Sequence, residues 1–211
     1  MISLDKSKAY LYKISELSHL NSLKSKYGVD YSLLYGQAKK RVWYDGEINT
    51  NTIRNNIFKR IFFNSKLHCA YCNKLLIREK REIDHFIPNS DHPQLSFHPY
   101  NLIPSCSYCN GTLKSTFNPE VIYTKKYSDS IFFIFHPYLD KVDEHFILNH
   151  DGISFDYERC SIQALNSIEL FELYTEEAHI QRRNDLTIRN MKSKLSNEEL
   201  ITLIEKIASY K

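Results

Sequence analysis

The sequence contains few glycines and no long apolar run, and these absences narrow the class of protein. Only 5 of its 211 residues are glycine, whereas 15 are tyrosine and 12 are phenylalanine, so we expect aromatic side chains to build much of the core or to form flat binding surfaces. No stretch of about 18 apolar residues occurs, which argues against a transmembrane helix. The first residues, MISLDKSKAYLYK, lack the apolar centre of a secretory signal. We therefore predict a cytoplasmic location without membrane contact.

No internal repeat or low-complexity segment is present, and neither sign of charge dominates. Hydrophobic residues make up 42% and charged residues 25% of the chain, as in ordinary globular domains, so the chain is expected to fold. Its length fits one compact domain or a small module inside helical extensions. The net charge of +3 is too small to indicate a nucleic-acid partner by itself.

Positive charge is nevertheless concentrated in one part of the chain. The stretch from Arg54 to Arg81 has a single acidic residue, Glu79, against eight basic ones. Such a stretch can be a solvated face or a surface that binds phosphate groups. Its basic residues are Arg54, Lys59, Arg60, Lys66, Lys74, Arg78, Lys80 and Arg81.

Apolar spacing predicts two helices before residue 65. The first covers residues 7–27 and ends at Gly28, where a helix needs a left-handed terminator. Its apolar positions at three-residue spacing are Leu11, Ile14, Leu17, Leu20 and Leu23. The second covers residues 52–64, in which Ile53, Ile57 and Ile61 form a stripe at four-residue spacing.

The chain after residue 116 is predicted to contain a hairpin followed by helices. Two short strand-like runs, 144–149 and 153–157, flank Asp151 and Gly152, a strong turn signal. Apolar residues at three-residue spacing predict a helix over 162–171, and residues 196–199 form a capping box before a last helix. We therefore divide the chain into an N-terminal helical extension with a basic helix (1–65), a core (66–116) and a C-terminal hairpin and helical region (117–211).

Four of the five cysteines form two pairs of equal spacing. Two residues separate Cys69 from Cys72 and Cys106 from Cys109, which lets a tight turn direct both thiolates of a pair at one ion. Four thiolates fill the tetrahedral coordination of Zn2+ and leave no position for water, so we predict a structural Zn2+. Four unrelated buried thiols or a redox pair are the alternatives. Cys160 is left over, and we interpret it as a buried small hydrophobic residue.

Polar residues suited to phosphodiester hydrolysis lie between and just after the cysteine pairs. They follow the order Asp84 and His85, then Asn101, then Asn110, with Lys114 four residues later. Hydrolysis requires a base to activate water and a cation to stabilise the developing charge, and a histidine with a pKa of about 6.5 suits the first role. Taken singly, each residue is more often structural, as a turn former, a helix cap or a hydrogen-bonded histidine.

The combined pattern resembles the HNH endonuclease family, or ββα-metal nucleases, over residues 66–116. The resemblance implies an α+β fold, with a zinc-stapled ββα core flanked by N- and C-terminal α-helices. It also implies metal-dependent hydrolysis of DNA with backbone contacts and little intrinsic sequence specificity. Many family members have histidine where this chain has Asn110, and asparagine there favours a hard metal.

The same resemblance implies a role for each polar residue. His85 is the general base, Asp84 and Asn110 hold a catalytic Mg2+ or Mn2+, and Asn101 positions the base by hydrogen bonds within its loop. Lys114, one turn after Asn110, contacts the phosphate. Neighbouring strand residues point to opposite faces, so Asp84 and His85 share a site only if the strand ends or bends there.

The size and flanking helices also resemble an anti-phage HNH nuclease of the Septu PtuB type, in which an ATPase partner controls cutting. Two other hypotheses remain open. A zinc-knuckle module that binds nucleic acid or protein without cutting explains the cysteines and the basic stretch but gives Asp84, His85 and Asn110 no purpose. A nuclease directed at RNA is also open, because these residues do not distinguish the two backbones.

Overall fold

The computed structural model describes residues 4–5, 9–28, 42–46, 50–194 and 199, in which small two-stranded sheets are packed among helices. This is the predicted α+β class. Short 3-10 helices cover Pro93–Leu95, Pro99–Asn101 and Tyr127–Asp129, and a π-helix covers Tyr108–Lys114. The remaining elements are α1 (Ile14–Tyr27), α2 (Thr50–Asn64), β1 (Arg81–His85), β2 (Leu102–Cys106), β3 (Glu120–Ile122), β4 (Ile131–Phe132), α3 (Val142–His145), α4 (Ile162–Leu170) and α5 (Glu176–Lys194).

The centre of the fold is the antiparallel pair β1 and β2, followed by the π-helix. Asp84 lies opposite Ile103 and His85 opposite Leu102, so the residues of interest stand at the end of β1. The predicted third element of the ββα unit is a π-helix rather than an α-helix, since the backbone N–H of Ser115 donates to the carbonyl of Asn110 at 2.8 Å. Strands β3 and β4 form a second antiparallel pair with an irregular register.

One apolar core joins residues from Leu4 to Leu173. It contains Ile57 of α2, Phe86 after β1, Ile103 of β2 and Ile168 of α4. The division of the chain at residues 65 and 116 remains a prediction. Within the residues described above, no helix combines the length and the apolar character that a bilayer crossing requires.

The first helix differs from its predicted form. It begins at Ile14, because Lys13 has extended backbone angles and its N–H donates to the carboxylate of Glu16 at 2.8 Å. The predicted apolar stripe is not a buried face: Ile14 is 89% exposed, whereas Leu23 is fully buried. Each three-residue step falls about 60° short of a full turn of an α-helix, so residues at that spacing spiral around the helix. Gly28 has the expected positive φ, of 85°, although its ψ of 154° is not left-handed helical.

The second helix confirms its prediction, with two more residues at its start. Ile53, Ile57 and Ile61 are all buried. Four-residue spacing stays close to the helical repeat of 3.6 residues, so the three side chains remain on one face.

The predicted hairpin after residue 143 is only partly correct. Residues 153 and 154 follow a turn with Gly152 at a φ of 67°, but the flanking segments form a single bridge, between Leu148 and Phe155, and no regular strands. The carboxylate of Asp151 accepts hydrogen bonds from the backbone N–H groups of Ile153 and Ser154, at 2.8 and 3.0 Å. These local bonds compete with a strand ladder.

The C-terminal region contains helices, as predicted. Helix α4 begins after Ser161, whose hydroxyl accepts from the N–H of Ala164 at 3.1 Å. Helix α5 follows over Glu176–Lys194. The capping box at 196–199 and the apolar positions after it lie outside the described residues, except Glu199 itself.

Candidate functional site

The four paired cysteines meet at one point. All four sulfur atoms lie within 4.8 Å of one another, and the Sγ atoms of Cys72 and Cys106 are 3.9 Å apart. Tetrahedral Zn2+ with Zn–S bonds of about 2.3 Å separates its sulfurs by about 3.8 Å. The spacing of the cluster therefore fits one tetrahedral ion.

Short backbone bonds bring the two cysteine pairs together. The N–H of Cys69 donates to the carbonyl of Lys74 at 2.9 Å, and Asn73 has a positive φ of 63° that closes this turn. The N–H of Ala70 donates to the carbonyl of Pro104 in β2 at 2.8 Å, which joins the first pair to the sheet. Hydrogen bonds from the neighbouring thiols, that of Cys109 above all, lower the pKa of Cys106, as expected where thiols share one site.

Asp84 points into the interior of the protein. Its side chain is 5% exposed. The Oδ2 atom accepts a hydrogen bond from the hydroxyl of Tyr71, and Oδ1 lies 3.1 Å from Nζ of Lys114. Tyr71 is itself stacked on Phe171 at a centroid distance of 4.3 Å. Burial raises the pKa of Asp84, and the Lys114 ammonium opposes that effect. Both carboxylate oxygens are thus engaged by donors.

His85 faces a different set of partners. Its Nε2 lies 3.0 Å from the carbonyl oxygen of Ser96, and since a carbonyl only accepts, Nε2 carries the proton and Nδ1 keeps a lone pair. The ring meets the ring of Trp43 edge-on at 4.7 Å. Burial lowers the pKa of His85 to about 4, so the imidazole is neutral near pH 7. The backbone does not bring the side chains of Asp84 and His85 to common partners.

Asn101 is fully buried and stabilises the loop between β1 and β2 through hydrogen bonds. Its Oδ1 accepts from the N–H of Ile87 at 2.7 Å and from the hydroxyl of Tyr127 at 3.0 Å. Its Nδ2 donates to the carbonyls of Ile87 and Leu95, at 3.0 and 3.2 Å. These bonds hold the loop that carries Ser96, the partner of His85. The geometry therefore suits the positioning role expected for Asn101.

Asn110 and Lys114 pair with alternate residues of β1. Nδ2 of Asn110 donates to Glu82 at 2.9 Å, while Nζ of Lys114 donates to Asp84 at 3.1 Å and to the carbonyl of His85 at 3.0 Å. Glu82 and Asp84 are two residues apart and so lie on one face of the strand. The expected contact of Lys114 with phosphate is not met in this arrangement, because its ammonium is inside the protein.

The predicted metal ligands do not form an open metal site as they are arranged. A hard cation that keeps several waters needs a free carboxylate or amide oxygen. Each oxygen of Asp84 already accepts a hydrogen bond, one from Tyr71 and one from the Lys114 ammonium, and Asn110 is tied to Glu82 through its Nδ2, which is a donor and not a metal ligand. A divalent cation at Asp84 therefore requires the network around this carboxylate to rearrange.

Several residues of the site were not predicted from the sequence. Trp43 packs on His85, Tyr71 and Glu82 bond to the predicted metal ligands, and Tyr127 bonds to Asn101. Tyr71 lies inside the first cysteine pair and Glu82 two residues before Asp84, which are the only sequence signals for them. The positions of Trp43 and Tyr127 depend on packing between distant segments.

Positive charge gathers in two grooves that share the ring of Phe63 on α2, which is 74% exposed. The grooves have volumes of about 580 and 840 Å3, and none of the described residues lining them is acidic. Two cations of the basic stretch are instead paired with carboxylates, Lys74 with Glu79 at 2.9 Å and Lys80 with Glu82 at 2.6 Å. The cations that line the grooves are Lys13, Lys59 and Arg60 in the first and Lys59, Lys66 and Arg81 in the second.

Comparison with known proteins identifies the family of the region that contains the cysteine cluster. Residues 69–116 match the HNH endonuclease family, so the chain contains an HNH endonuclease domain and the predicted resemblance is confirmed.

Two curated proteins are similar over short segments. Protein ea31 of Escherichia phage lambda is 36% identical over 73 residues, which are 35% of this chain and 21% of ea31. The Septu protein PtuB of Bacillus thuringiensis is 42% identical over 45 residues, which are 20% of this chain and 18% of PtuB. The chain thus matches about a fifth of the length of each relative.

Proposed function

We propose that this protein is a metal-dependent HNH endonuclease that hydrolyses phosphodiester bonds in DNA, with His85 as the general base. The observation that carries the proposal is the hydrogen bond from Nε2 of His85 to the carbonyl of Ser96, at 3.0 Å. It leaves the lone pair of Nδ1 to accept a proton from an attacking water. The match of residues 69–116 to the HNH family supports the same assignment.

The residues around His85 prepare it for this step. Asn101 holds the loop that carries Ser96, and the ring of Trp43 restricts the tilt of the imidazole. A divalent cation, Mg2+ or Mn2+, supplies charge stabilisation to the phosphate and the leaving oxygen when it is bound. We assign its binding to Asp84 and Asn110, after their rearrangement, and the structural Zn2+ to the four clustered cysteines.

The substrate backbone is proposed to follow the cationic grooves beside α2. Arg81 lines one groove and is the first residue of β1, three residues before Asp84. At about 3.3 Å per residue along a strand, this is a distance of about 10 Å. A backbone held by Arg81 and Lys59 therefore runs close to the end of β1. Such binding neutralises phosphates and carries no sequence information.

The test of the function is cleavage of supercoiled plasmid by the zinc-loaded protein with Mg2+ or Mn2+. The parent protein is expected to nick or linearise the plasmid, and His85→Ala is expected to lose at least about 100-fold in rate. His150→Ala removes an exposed histidine and should cut as fast as the parent. Equal rates for the parent and His85→Ala would contradict the proposal, and a parallel assay with RNA tests the choice of substrate.

A role in anti-phage defence with an ATPase partner is a second part of the proposal. Its support is the similarity to the Septu protein PtuB, together with helices on both sides of the HNH domain. The expected result is co-purification with an ATPase from cells that express the chain with its neighbouring genes, and a change in cutting when that partner is added. A chain that purifies alone and cuts fully without a partner counts against it.

A non-catalytic zinc-knuckle binding module is the second candidate function. The observation that favours it is the engagement of both oxygens of Asp84 by Tyr71 and Lys114, which places an ammonium where a metal ion would bind. Such a module binds nucleic acid through the grooves without metal-dependent cleavage. The plasmid assay separates the two candidates, because only the nuclease requires His85.

A further inference from the structure

Lys114 places a positive charge inside the HNH domain, beside a residue assigned to hold a cation. The side chain is 1% exposed, and Nζ lies 3.1 Å from Oδ1 of Asp84 and 3.0 Å from the carbonyl oxygen of His85. A buried ammonium is tolerated only beside groups that compensate its charge and fill its hydrogen bonds. Lys114 is thus bound by these two oxygens in the way that a small cation would be.

Asp84 already holds one donor on each of its carboxylate oxygens. Its Oδ2 accepts from the hydroxyl of Tyr71, which is fully buried and stacked on Phe171. A divalent ion brought to Oδ1 would stand within a few ångströms of the Lys114 ammonium, where like charges repel strongly at low dielectric. The two cations therefore exclude each other at this carboxylate.

We propose that Lys114 and a divalent metal ion compete for Asp84, so that the metal ion binds only when the ammonium leaves. Lys114 compensates the charge of Asp84 in the metal-free protein and lowers the affinity of the site for metal. The flexible four-carbon stem of lysine allows the ammonium to leave without a change of the backbone. The inference rests on the proposed function, since it takes the HNH metal ion as the competitor.

The first test is the affinity for Mn2+ alone, measured from the free Mn2+ signal in electron paramagnetic resonance with zinc-loaded protein and no nucleic acid. Lys114→Met keeps an unbranched chain of similar length without the charge and is expected to bind Mn2+ about tenfold or more tightly than the parent. The double variant Asp84→Asn, Lys114→Met should lose that gain. Lys125→Met makes the same change of charge at an exposed position outside the site and the grooves and should bind like the parent. Equal affinity of Lys114→Met and the parent would overturn the proposal.

The second test covers the case in which Lys114→Met is poorly folded without metal. If Mn2+ replaces the missing charge, it should raise the Tm of this variant well above its metal-free value, or refold a variant that is unfolded. The parent should show a much smaller shift at the same Mn2+ concentration. Mn2+ prefers oxygen ligands and does not substitute for zinc in a four-thiolate site. A variant that Mn2+ stabilises no more than it stabilises the parent contradicts the competition.

A third test needs no variant. The buried Lys114 ammonium should give a protected 15N signal that differs from those of solvated lysines, and saturation with Mg2+ should abolish that signal. Binding of Mg2+ at Asp84 with the Lys114 signal unchanged would overturn the proposal. None of the three tests measures cleavage. A protein that does not cut DNA would therefore contradict the proposed function and leave the competition to be judged from metal binding.

Discussion

Lys114 and Asp84, which are 30 residues apart in sequence, form a buried ion pair with a distance of 3.1 Å between Nζ and Oδ1. The same ammonium donates to the carbonyl oxygen of His85 at 3.0 Å. This contact joins the end of the π-helix to the end of β1, at the residue we assign as the base. The stability of the HNH domain and the position of His85 are therefore linked through Lys114.

The ion pair makes a prediction about stability in the absence of divalent metal. Lys114→Met leaves Asp84 buried without its partner and is expected to lower the free energy of unfolding by about 3–5 kcal/mol. The measurement is urea unfolding in buffer that contains no free Mg2+ or Mn2+.

A double variant and a surface control accompany that measurement. Asp84→Asn combined with Lys114→Met removes both charges and should recover most of the loss. Lys126→Met breaks an exposed pair with Asp129 and should leave unfolding unchanged. If Lys114→Met is as stable as the parent, the buried ion pair contributes little to the free energy of unfolding.

The cysteine cluster predicts one zinc ion per chain. Cys106→Ser should lose the zinc and make residues 66–116 sensitive to proteolysis, because a four-thiolate site contributes to folding directly. The measurements are elemental analysis of the purified protein and limited proteolysis with and without a chelator. Cys160→Ser is the matched control, since Cys160 bonds to Ile147 outside the cluster, and it should keep the zinc. A full zinc content in Cys106→Ser would show that the four sulfurs do not share an ion.

His98 predicts a loss of stability in acid. Burial lowers its pKa to about 4, and its Nδ1 is buried without a hydrogen-bond partner among the described residues. Below about pH 6.5 the unfolded chain binds a proton that the folded protein does not accept until about pH 4. The free energy of unfolding should therefore fall as the pH falls from about 6.5 to 4, by an amount on the order of 3 kcal/mol from this group.

A ring substitution isolates the contribution of His98. His98→Phe cannot be protonated and keeps an aromatic ring against Tyr127, on which His98 is stacked at 4.4 Å. Urea unfolding at several pH values should show a flatter pH dependence for this variant than for the parent. His150→Phe, at an exposed position, should leave the dependence unchanged. The same slope in His98→Phe and the parent would mean that folding does not change the pKa of His98.

The grooves beside α2 predict how DNA binding depends on salt. Lys59→Gln with Arg60→Gln removes two cations that line the grooves, so the slope of log K against log salt should decrease by about 2 for duplex DNA. Lys74→Gln with Lys80→Gln makes the same change of net charge in two surface ion pairs and should change the slope less. Binding is measured by fluorescence anisotropy with chelator present, so that no cleavage occurs. Equal changes of slope in both double variants would indicate that DNA binding depends on the net charge of the protein and not on the grooves.

Local parts of the fold could be predicted where the spacing of apolar residues matches the repeat of a helix. The stripe of Ile53, Ile57 and Ile61 follows the helical repeat and is buried as predicted, whereas the three-residue spacing around Ile14 does not follow that repeat and is largely exposed. The turn at Gly152 could also be predicted. The strands on either side of it could not, because the side chain of Asp151 takes the backbone N–H groups that a ladder needs.

The residues of the site could be read from the sequence: two cysteine pairs of equal spacing, and the aspartate, the histidine, the two asparagines and the lysine in a fixed order. Which of them meet, and that the lysine is buried, follows from the packing of β1 against the π-helix. Alternate residues of β1 share one face and the π-helix lies against that face, so Glu82 pairs with Asn110 and Asp84 with Lys114, while His85 points away to Ser96. The reason is physical. Spacing along the chain determines the direction of each side chain on its own element, but a buried charge takes its partner from whichever element the packing brings within hydrogen-bond distance.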